Sequence, residues 1–361
     1  MAKRIPKWLL FLIVVFAGMG AAAWQSWAWW TSAIAPMSTH PTAKPLIVNI
    51  PSGTSAQEIG QTLAAQGAIR STTAWNLWTR WLTTNNAEGG FQAGTYQLSP
   101  THSLPEIAAK IWAGEVMQRS FTIPEGWSIK QMAEYFEQQG LFPAQDFLVA
   151  VNQFPISEYS WLPTPPAAAM YALEGYLYPD TYQLIADSSV TPDAIIRQML
   201  DRFQQVAVPL YQQSRQQTQL NFSQWVTLSS LVEKEAVVPS ERELIAGVFW
   251  NRLQKGMTLG SDPTVEYALG IRQTPDRTLT WTEVKTPSPY NTYINPGLPP
   301  TAIASPGLAS LKATLQPATT DYLYFVARYD GTHVFSRTMA EHLAAQDTIH
   351  DQRENSKPNK L

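Results

Sequence analysis

The first thirty residues carry the most uneven stretch of hydrophobic and polar positions in the chain. No charge falls between Trp8 and Ala43, and the run from Trp8 to Ala23, WLLFLIVVFAGMGAAA, is apolar almost throughout. That run lies near the lower limit of the ~17 to 25 residues a helix needs to cross a bilayer, and extension to Trp30 makes the span comfortable. Residues 8–30 are therefore predicted to be a transmembrane helix, with Trp24, Trp27, Trp29 and Trp30 at the level of an aromatic belt. Lys3, Arg4 and Lys7 precede it without an acid, which assigns residues 1–7 to the cytoplasm and everything after residue 30 to the outside. A cleaved signal peptide is the competing reading, since Ala21, Ala22 and Ala23 offer a small-residue site. Cleavage there would leave a tryptophan-studded terminus with no evident use. Residues 31–45 hold three prolines and no apolar period, and read as a tether.

From Leu46 the pattern becomes that of a folded domain. IVNIPSGTSAQEIGQTLAAQGAI predicts a strand, a Pro/Gly turn, a helix capped at Thr54/Ser55 with Ile59 and Leu63 inward, and a stop at Gly67. The same plan returns 73 residues later in FTIPEGWSIKQMAEYFEQQGLF, pairing Ile50 with Ile123, Pro51 with Pro124, Gly53 with Gly126, Ser55 with Ser128 and Gly67 with Gly140. Matches at one offset, several of them at caps and turns, predict a repeated strand-turn-helix unit. Tyr96 to Leu98 and the following Ser103 cap add a strand and a helix, so that residues 46–118 close as a small βααβ module. Its entry resembles LysM-type modules, which are associated with N-acetylglucosamine-containing glycans.

Residues 191–219 have helical apolar spacing after a Thr191-Pro192-Asp193 cap. SQWVTLSSLVEKEA then predicts a helix, broken at Pro239-Ser240, and ERELIAGVFWNRLQKG a second one closed by Gly256. DYLYFVARYDGTHVFSRTMAEH predicts a hairpin around Asp330-Gly331 and a short capped helix. Leu173 to Tyr182 concentrates Tyr176, Tyr178 and Tyr182 with Glu174 and Asp180. Such a segment either contacts sugar faces or joins two subdomains as a buried turn.

Composition narrows the function. The 361 residues are 45% apolar and 15% charged, so a packed core forms, and there is no cysteine, which removes disulfides, thiol catalysis and cysteine-based zinc sites. Setting aside the three basic residues of the N-terminal flank leaves 22 of 25 against 28 acids. A balance of about −6 argues against nucleic acid as a partner. Phosphate-loop, dinucleotide, serine-hydrolase and zinc-protease motifs are all missing, and the five histidines show no ligand spacing. No metal or other cofactor is expected.

Carboxylate acid-base chemistry remains, with Glu233 or Glu235 as candidates. At ~100° per residue the two point about 200° apart. Trp225, Leu228, Leu231 and Val232 form the apolar stripe, Glu235 lies near its end, and Ser229 and Ser230 give Glu233 a small polar face suited to the floor of a groove. A solvated E-K-E at a helix end is the plainer alternative.

The run LSSLVEKEAVVPSERELIAGVFWNRLQKGMTLGSDPTVEYALG, with LEGYLYPDTYQL before it and SPYNTYINPGLPPTAIASPGLASLKA and DYLYFVARYDGTHVFSRTMAEH after it, closely resembles the MltG (YceG-like) family of endolytic murein transglycosylases. Val237-Val238-Pro239 and Thr301 are small departures from its pattern. The resemblance implies an α+β fold: a single N-terminal transmembrane helix, a LysM-like βααβ subdomain at 46–118, and a mixed α+β catalytic domain at 119–349 with a lytic-transglycosylase-like catalytic helix, followed by a polar tail at 350–361. It implies Glu233 as general acid/base, Glu235 as second choice, and Ser229, Asp262, Asn291, Tyr293, Glu174 and Tyr176 around the sugar. Asp262-Pro263 also reads as a helix start, with Asp262 as N-cap. The implied partners are peptidoglycan strands and penicillin-binding-protein synthases, at the inner (plasma) membrane. A non-catalytic peptidoglycan-binding scaffold, and a hydrolase using Glu235 or Asp262 as a second carboxylate, are the rival readings.

Overall fold

The computed structural model describes residues 7–85, 89–185, 190–274, 277–328 and 330–356. Lys3 and Arg4, on which the expected orientation in the membrane rests, lie outside them. The class is mixed α+β with an N-terminal apolar helix, and the chain divides into two compact units, residues 1–120 with 183–189, and 121–182 with 190–361.

The first unit begins with helix α1 (Lys7–Ile34). Its segment Phe11–Ile34 is long and apolar enough to cross a membrane, and Trp24 and Trp27 stand well exposed on it. The helix runs four residues past the expected boundary because its last turn finds a partner: Ala33 is buried and the Trp30 ring lies 6.5 Å from that of Trp78. The expected tether at 31–45 is corrected accordingly. Arg70 donates to the Pro36 carbonyl at 2.7 Å and the Ser38 N–H to Pro100 O at 2.9 Å, so the segment is tied down as far as Ser38.

Strand β1 (Leu46–Ile50), helices α2 (Ala56–Ala65) and α3 (Thr72–Asn85), strand β2 (Gly94–Leu98) and helix α4 (Leu104–Trp112) follow in order. β1 and β2 pair antiparallel, Leu46 opposite Leu98 and Ile50 opposite Gly94. Alternate residues Val48 and Ile50 point inward with Tyr96 and Leu98 onto Ile59, Leu63, Trp75 and Ile107. Gly60 lets the Trp75 ring lie against α2, since a Cβ there would come within 2.3 Å of it, and Trp75 Nε1 donates to Ala56 O. Strand β3 (Gln118–Thr122) leads onward.

The 73-residue repeat is physical. Helix α5 (Ile129–Gln138) repeats α2 residue for residue in its bounds, Ser55 with Glu58 and Ser128 with Gln131 form equivalent capping boxes, and Gly53 and Gly126 share the left-handed φ of 82° and 76° that their turns require.

In the second unit α5 is followed by α6 (Ala144–Gln153); strand β4 (Thr181–Ile185), whose residues from 183 fall to the first unit, comes next, and then α7 (Pro192–Ser214), α8 (Phe222–Glu235), α9 (Arg242–Gln254), α10 (Asp262–Leu269), α11 (Trp281–Val284) and α12 (Leu308–Leu315). A hairpin of β5 (Tyr324–Ala327) and β6 (His333–Ser336) and helix α13 (Met339–Ser356) complete it. The expected short C-terminal helix is thus 18 residues long and takes in most of the residues assigned to a polar tail. α8 is the central element, packed against α9, α10 and α12. Residues 225–232 are buried all round, Thr227, Ser229 and Ser230 included, so burial is not confined to the expected apolar stripe.

Candidate active site

The position of the two candidate glutamates follows from how α8 starts and stops. Asn221 caps its first turn with Gln224, and after Glu235 the backbone turns extended at Ala236 with Pro239 close behind. Both glutamates therefore lie in the last turn, at the edge of the core. Trp225 Nε1 donates to Leu311 O at 2.9 Å, fixing α12 along α8. Ser230 Oγ accepts from Ile303 N–H at 3.1 Å, fixing the 301–307 segment beside it.

That segment delivers the Gly307 N–H to Glu233 Oε2 at 3.0 Å. Glu233 Oε1 faces Arg242 Nη2 at 3.7 Å, and Arg242 is steadied by Ser310 Oγ, 3.2 Å from its Nε. The Glu233 side chain keeps 7% of its surface open. Beside it stands Glu125, which sequence reasoning missed. The signal was in the repeat: where the first copy reads IPSGTS the second reads IPEGWS, so an acid replaces Ser52 between two matched turn residues.

Glu235 belongs to a different cluster on another face. Its Oε1 accepts from Ser261 Oγ at 2.6 Å. Burial pushes its carboxyl up to about 7, with the charges of Asp262 and Glu266 adding and Ser261 and Arg252 opposing. Asp262 accepts from Tyr293 Oη at 2.5 Å and from Gln273 Nε2 at 3.1 Å. The structure thus brings Asp262 and Tyr293 to Glu235, not to Glu233. Ser261, and not Asp262, is the N-cap of α10, one residue earlier than expected.

The other expected sugar contacts lie deeper. Ser229 is corrected to a core residue: it is fully buried, its hydroxyl donating to Trp225 O at 2.8 Å and lying 2.6 Å from Thr314 Oγ1. With Ser230 equally buried, α8 presents no polar groove floor on that side. Asn291 is buried, its Nδ2 spent on Val284 O and Thr286 O and its Oδ1 on the Tyr293 N–H, so it shapes the loop that carries Tyr293. Glu174 is inaccessible, bonded by the Ile129 N–H at 3.1 Å and Tyr267 Oη at 2.9 Å. Tyr176 is buried among Trp161, Phe203 and Phe222. Of the residues proposed around the sugar, Tyr293 is exposed and Asp262 half-buried.

On the Lys234 side of α8 a cavity of about 480 Å³ opens between Lys130, Glu134, Tyr171, Glu266, Tyr267 and Arg272. Among the described residues no group of three His, Asp or Glu is placed to hold a metal ion. The site can therefore offer two carboxyl clusters, an arginine, backbone N–H and tyrosine hydroxyl, the equipment of proton transfer at an oxygen.

Comparison with known proteins adds the following. The model of the YceG-like family matches residues 48–348. A Bacillus subtilis (strain 168) protein named endolytic murein transglycosylase is 32% identical over 309 residues, covering 83% of this chain and 83% of that protein. A protein of the same name from Streptococcus pneumoniae serotype 2 (strain D39) is 29% identical over 375 residues, covering 94% of this chain and 66% of its own length. Among solved structures, a 2.6 Å crystal structure of a YceG-like protein from Listeria monocytogenes superposes with a TM-score of 0.58 at 32% identity, covering 84% of this chain and all of that one.

Proposed function

The chain belongs to the YceG-like family, and on that premise we propose that it is a murein lytic transglycosylase whose general acid/base is Glu233. The observation that carries the assignment is the seating of Glu233: one oxygen on the Gly307 N–H, the other turned to Arg242, at the end of a helix buried on every other side. A carboxyl so held is fixed in direction and its side chain is not wholly enclosed, which suits a proton donor to a glycosidic oxygen.

In this reading the substrate is peptidoglycan, cleaved at the β-1,4 bond between N-acetylmuramic acid and N-acetylglucosamine. Glu233 protonates the bridging oxygen as that bond breaks. Its carboxylate then takes the proton of the muramoyl C6 hydroxyl while O6 bonds to C1 of its own ring. The leaving sugar keeps the first proton, the enzyme regains its own, and no water enters. The product ends in a 1,6-anhydromuramoyl unit. Hydrolytic glycosidases need a second carboxylate for a water or a covalent intermediate; here the tethered hydroxyl replaces it.

Glu235 is the second reading for the acid, favoured by its carboxyl held near 7 and by Asp262 and Tyr293 beside it. Glu233→Gln against Glu235→Gln separates the two: the first should lose at least ~10²- to 10⁴-fold in cleavage, the second much less. A dead Glu235→Gln with an active Glu233→Gln would transfer the role.

The remaining assignments rest on pattern and on the fold. α1 anchors the chain in the inner membrane with its N-terminus cytoplasmic, supported by its length and exposed tryptophans. The βααβ order from β1 to β2, followed by α4, supports a LysM-like subdomain at 46–118, with 119–349 as the catalytic domain. Anchoring restricts cleavage to nascent strands near the membrane and so limits glycan length, next to penicillin-binding-protein synthases.

A further inference from the structure

Glu125 is the carboxyl in this cluster to which the mechanism above gives no role. Its loop is clamped by two reciprocal backbone hydrogen bonds, Gly126 N–H to Ser305 O and Ser305 N–H to Trp127 O, both 2.8 Å. The clamp holds the Glu125 carboxyl in the space a side chain at 307 would fill: a Cβ there would lie 1.9 Å from Glu125 Cδ and 2.0 Å from its Oε1. Gly307 in turn donates to Glu233 Oε2 at 3.0 Å. With ~2.5 Å between an amide nitrogen and its Cβ, the two carboxyl oxygens are at most about 7.5 Å apart. Glycine at 307 is thus what allows two acids to share one site.

Arg242 is the cation set directly against the group. Arg242 forms the ion pair of Glu233 and also acts on Glu125. Also facing the pair are Tyr178 ahead of β4 and Lys234 beside Glu233 on α8, its ammonium 3.4 Å from Gly126 O. Two carboxylates this close repel each other's charge, and removing one relieves that repulsion on the other.

We propose that Glu125 is a positioning residue for the catalytic proton: its charge, set beside Glu233 by Gly307 and balanced by Arg242, keeps one proton on the pair until the glycosidic oxygen takes it. Partial desolvation, and then the charge of Glu233, push the Glu125 carboxyl above its ordinary range, with Arg242 opposing. The proposal rests on Glu233 being the donor. It also explains why the second copy of the repeat carries an acid where the first has Ser52.

The test is the pH profile of kcat/KM for murein cleavage by the full chain in detergent, comparing wild type, Glu125→Gln, Arg242→Gln and Glu233→Gln. Glu125→Gln should move the alkaline limb down by about one pH unit, as loss of a like charge at this range demands, with KM within about twofold of wild type. Arg242→Gln should move the limb up. A Glu125→Gln limb coincident with wild type overturns the proposal, and so does a folded Glu125→Gln that is inactive at every pH, because Glu125 would then itself react. If Glu125→Gln does not fold, the sign of the Arg242→Gln shift decides, together with a carboxyl ¹³C titration of the wild type. Two coupled steps support the pair, and two independent single steps overturn it. Cleavage by Glu233→Gln would sink the donor assignment itself; an inactive Glu233→Gln beside an unmoved Glu125→Gln limb sinks the pair alone.

Discussion

Glu174 offers a sharp test of how this fold treats a buried acid. Its carboxyl is fully enclosed and bonded by the Ile129 N–H and Tyr267 Oη, with no ion pair among the described residues. Burial pushes it up from about 4.5 to about 8, those hydrogen bonds opposing. Below pH 4.5 both folded and unfolded chains are protonated there, and the group costs nothing. As pH rises from 4.5 to 8 the unfolded chain gives up its proton first, so stability falls, and above 8 the loss is complete. At about 1.4 kcal/mol per pH unit the window amounts to some 4 to 5 kcal/mol, and relaxation around the ionised group should bring it to about 3. Glu174→Gln keeps the shape and removes the titration. Urea unfolding of the full chain in detergent at pH 5 and pH 8.5 should show wild type losing about 3 kcal/mol more than the variant between the two. Parallel losses in both proteins would refute the reasoning.

Further outcomes follow from single contacts. Gly175→Ala places a methyl 2.4 Å from Ala302 Cβ at a φ of 88°, and should cost at least ~2 kcal/mol, read as a lower thermal midpoint. Ser128→Ala removes the acceptor for the Gln131 N–H and should cost about 1 kcal/mol in urea unfolding, with Ser55→Ala costing the same in the first copy of the repeat. The full chain should stay with membranes through an alkaline carbonate wash, while Val14→Arg with Val15→Arg, at ~2.5 to 3.5 kcal/mol each, should release it; release of the wild type would contradict an anchor.

Local signals were legible in the sequence wherever they were self-contained. The Ser55 and Ser128 caps, the glycine turns and the Pro239 break depend on neighbours within four residues, and the helices begin and end there. α3 was harder to read: Ser71 caps it, its Oγ accepting from the Ala74 N–H at 3.2 Å, but no capping box forms and Trp75 inward with Leu77 and Trp81 exposed blurs its period. The extension of α1 and the docking of Ser38 depend on Trp78, Arg70 and Pro100, which no local pattern announces. At the site, the helical angle correctly separated Glu233 from Glu235, but their companions come from distant segments. That Asp262 and Tyr293 stand beside Glu235 was not legible, because spacing on α8 says nothing about which face α10 covers. Ser229 was misread because a small polar residue marks a groove floor and a close helix contact equally well, and here α12 supplies the contact through Thr314.

The central claim is that a single carboxyl, Glu233, transfers a proton out and back while the substrate supplies its own nucleophile. Mass spectrometry of murein strands digested by the full chain, run beside Glu233→Gln, tests it most directly. The account predicts internal cleavage with 1,6-anhydromuramoyl ends from wild type and no new ends from the variant. Reducing ends that take up ¹⁸O from labelled water would show that water is the nucleophile and contradict it.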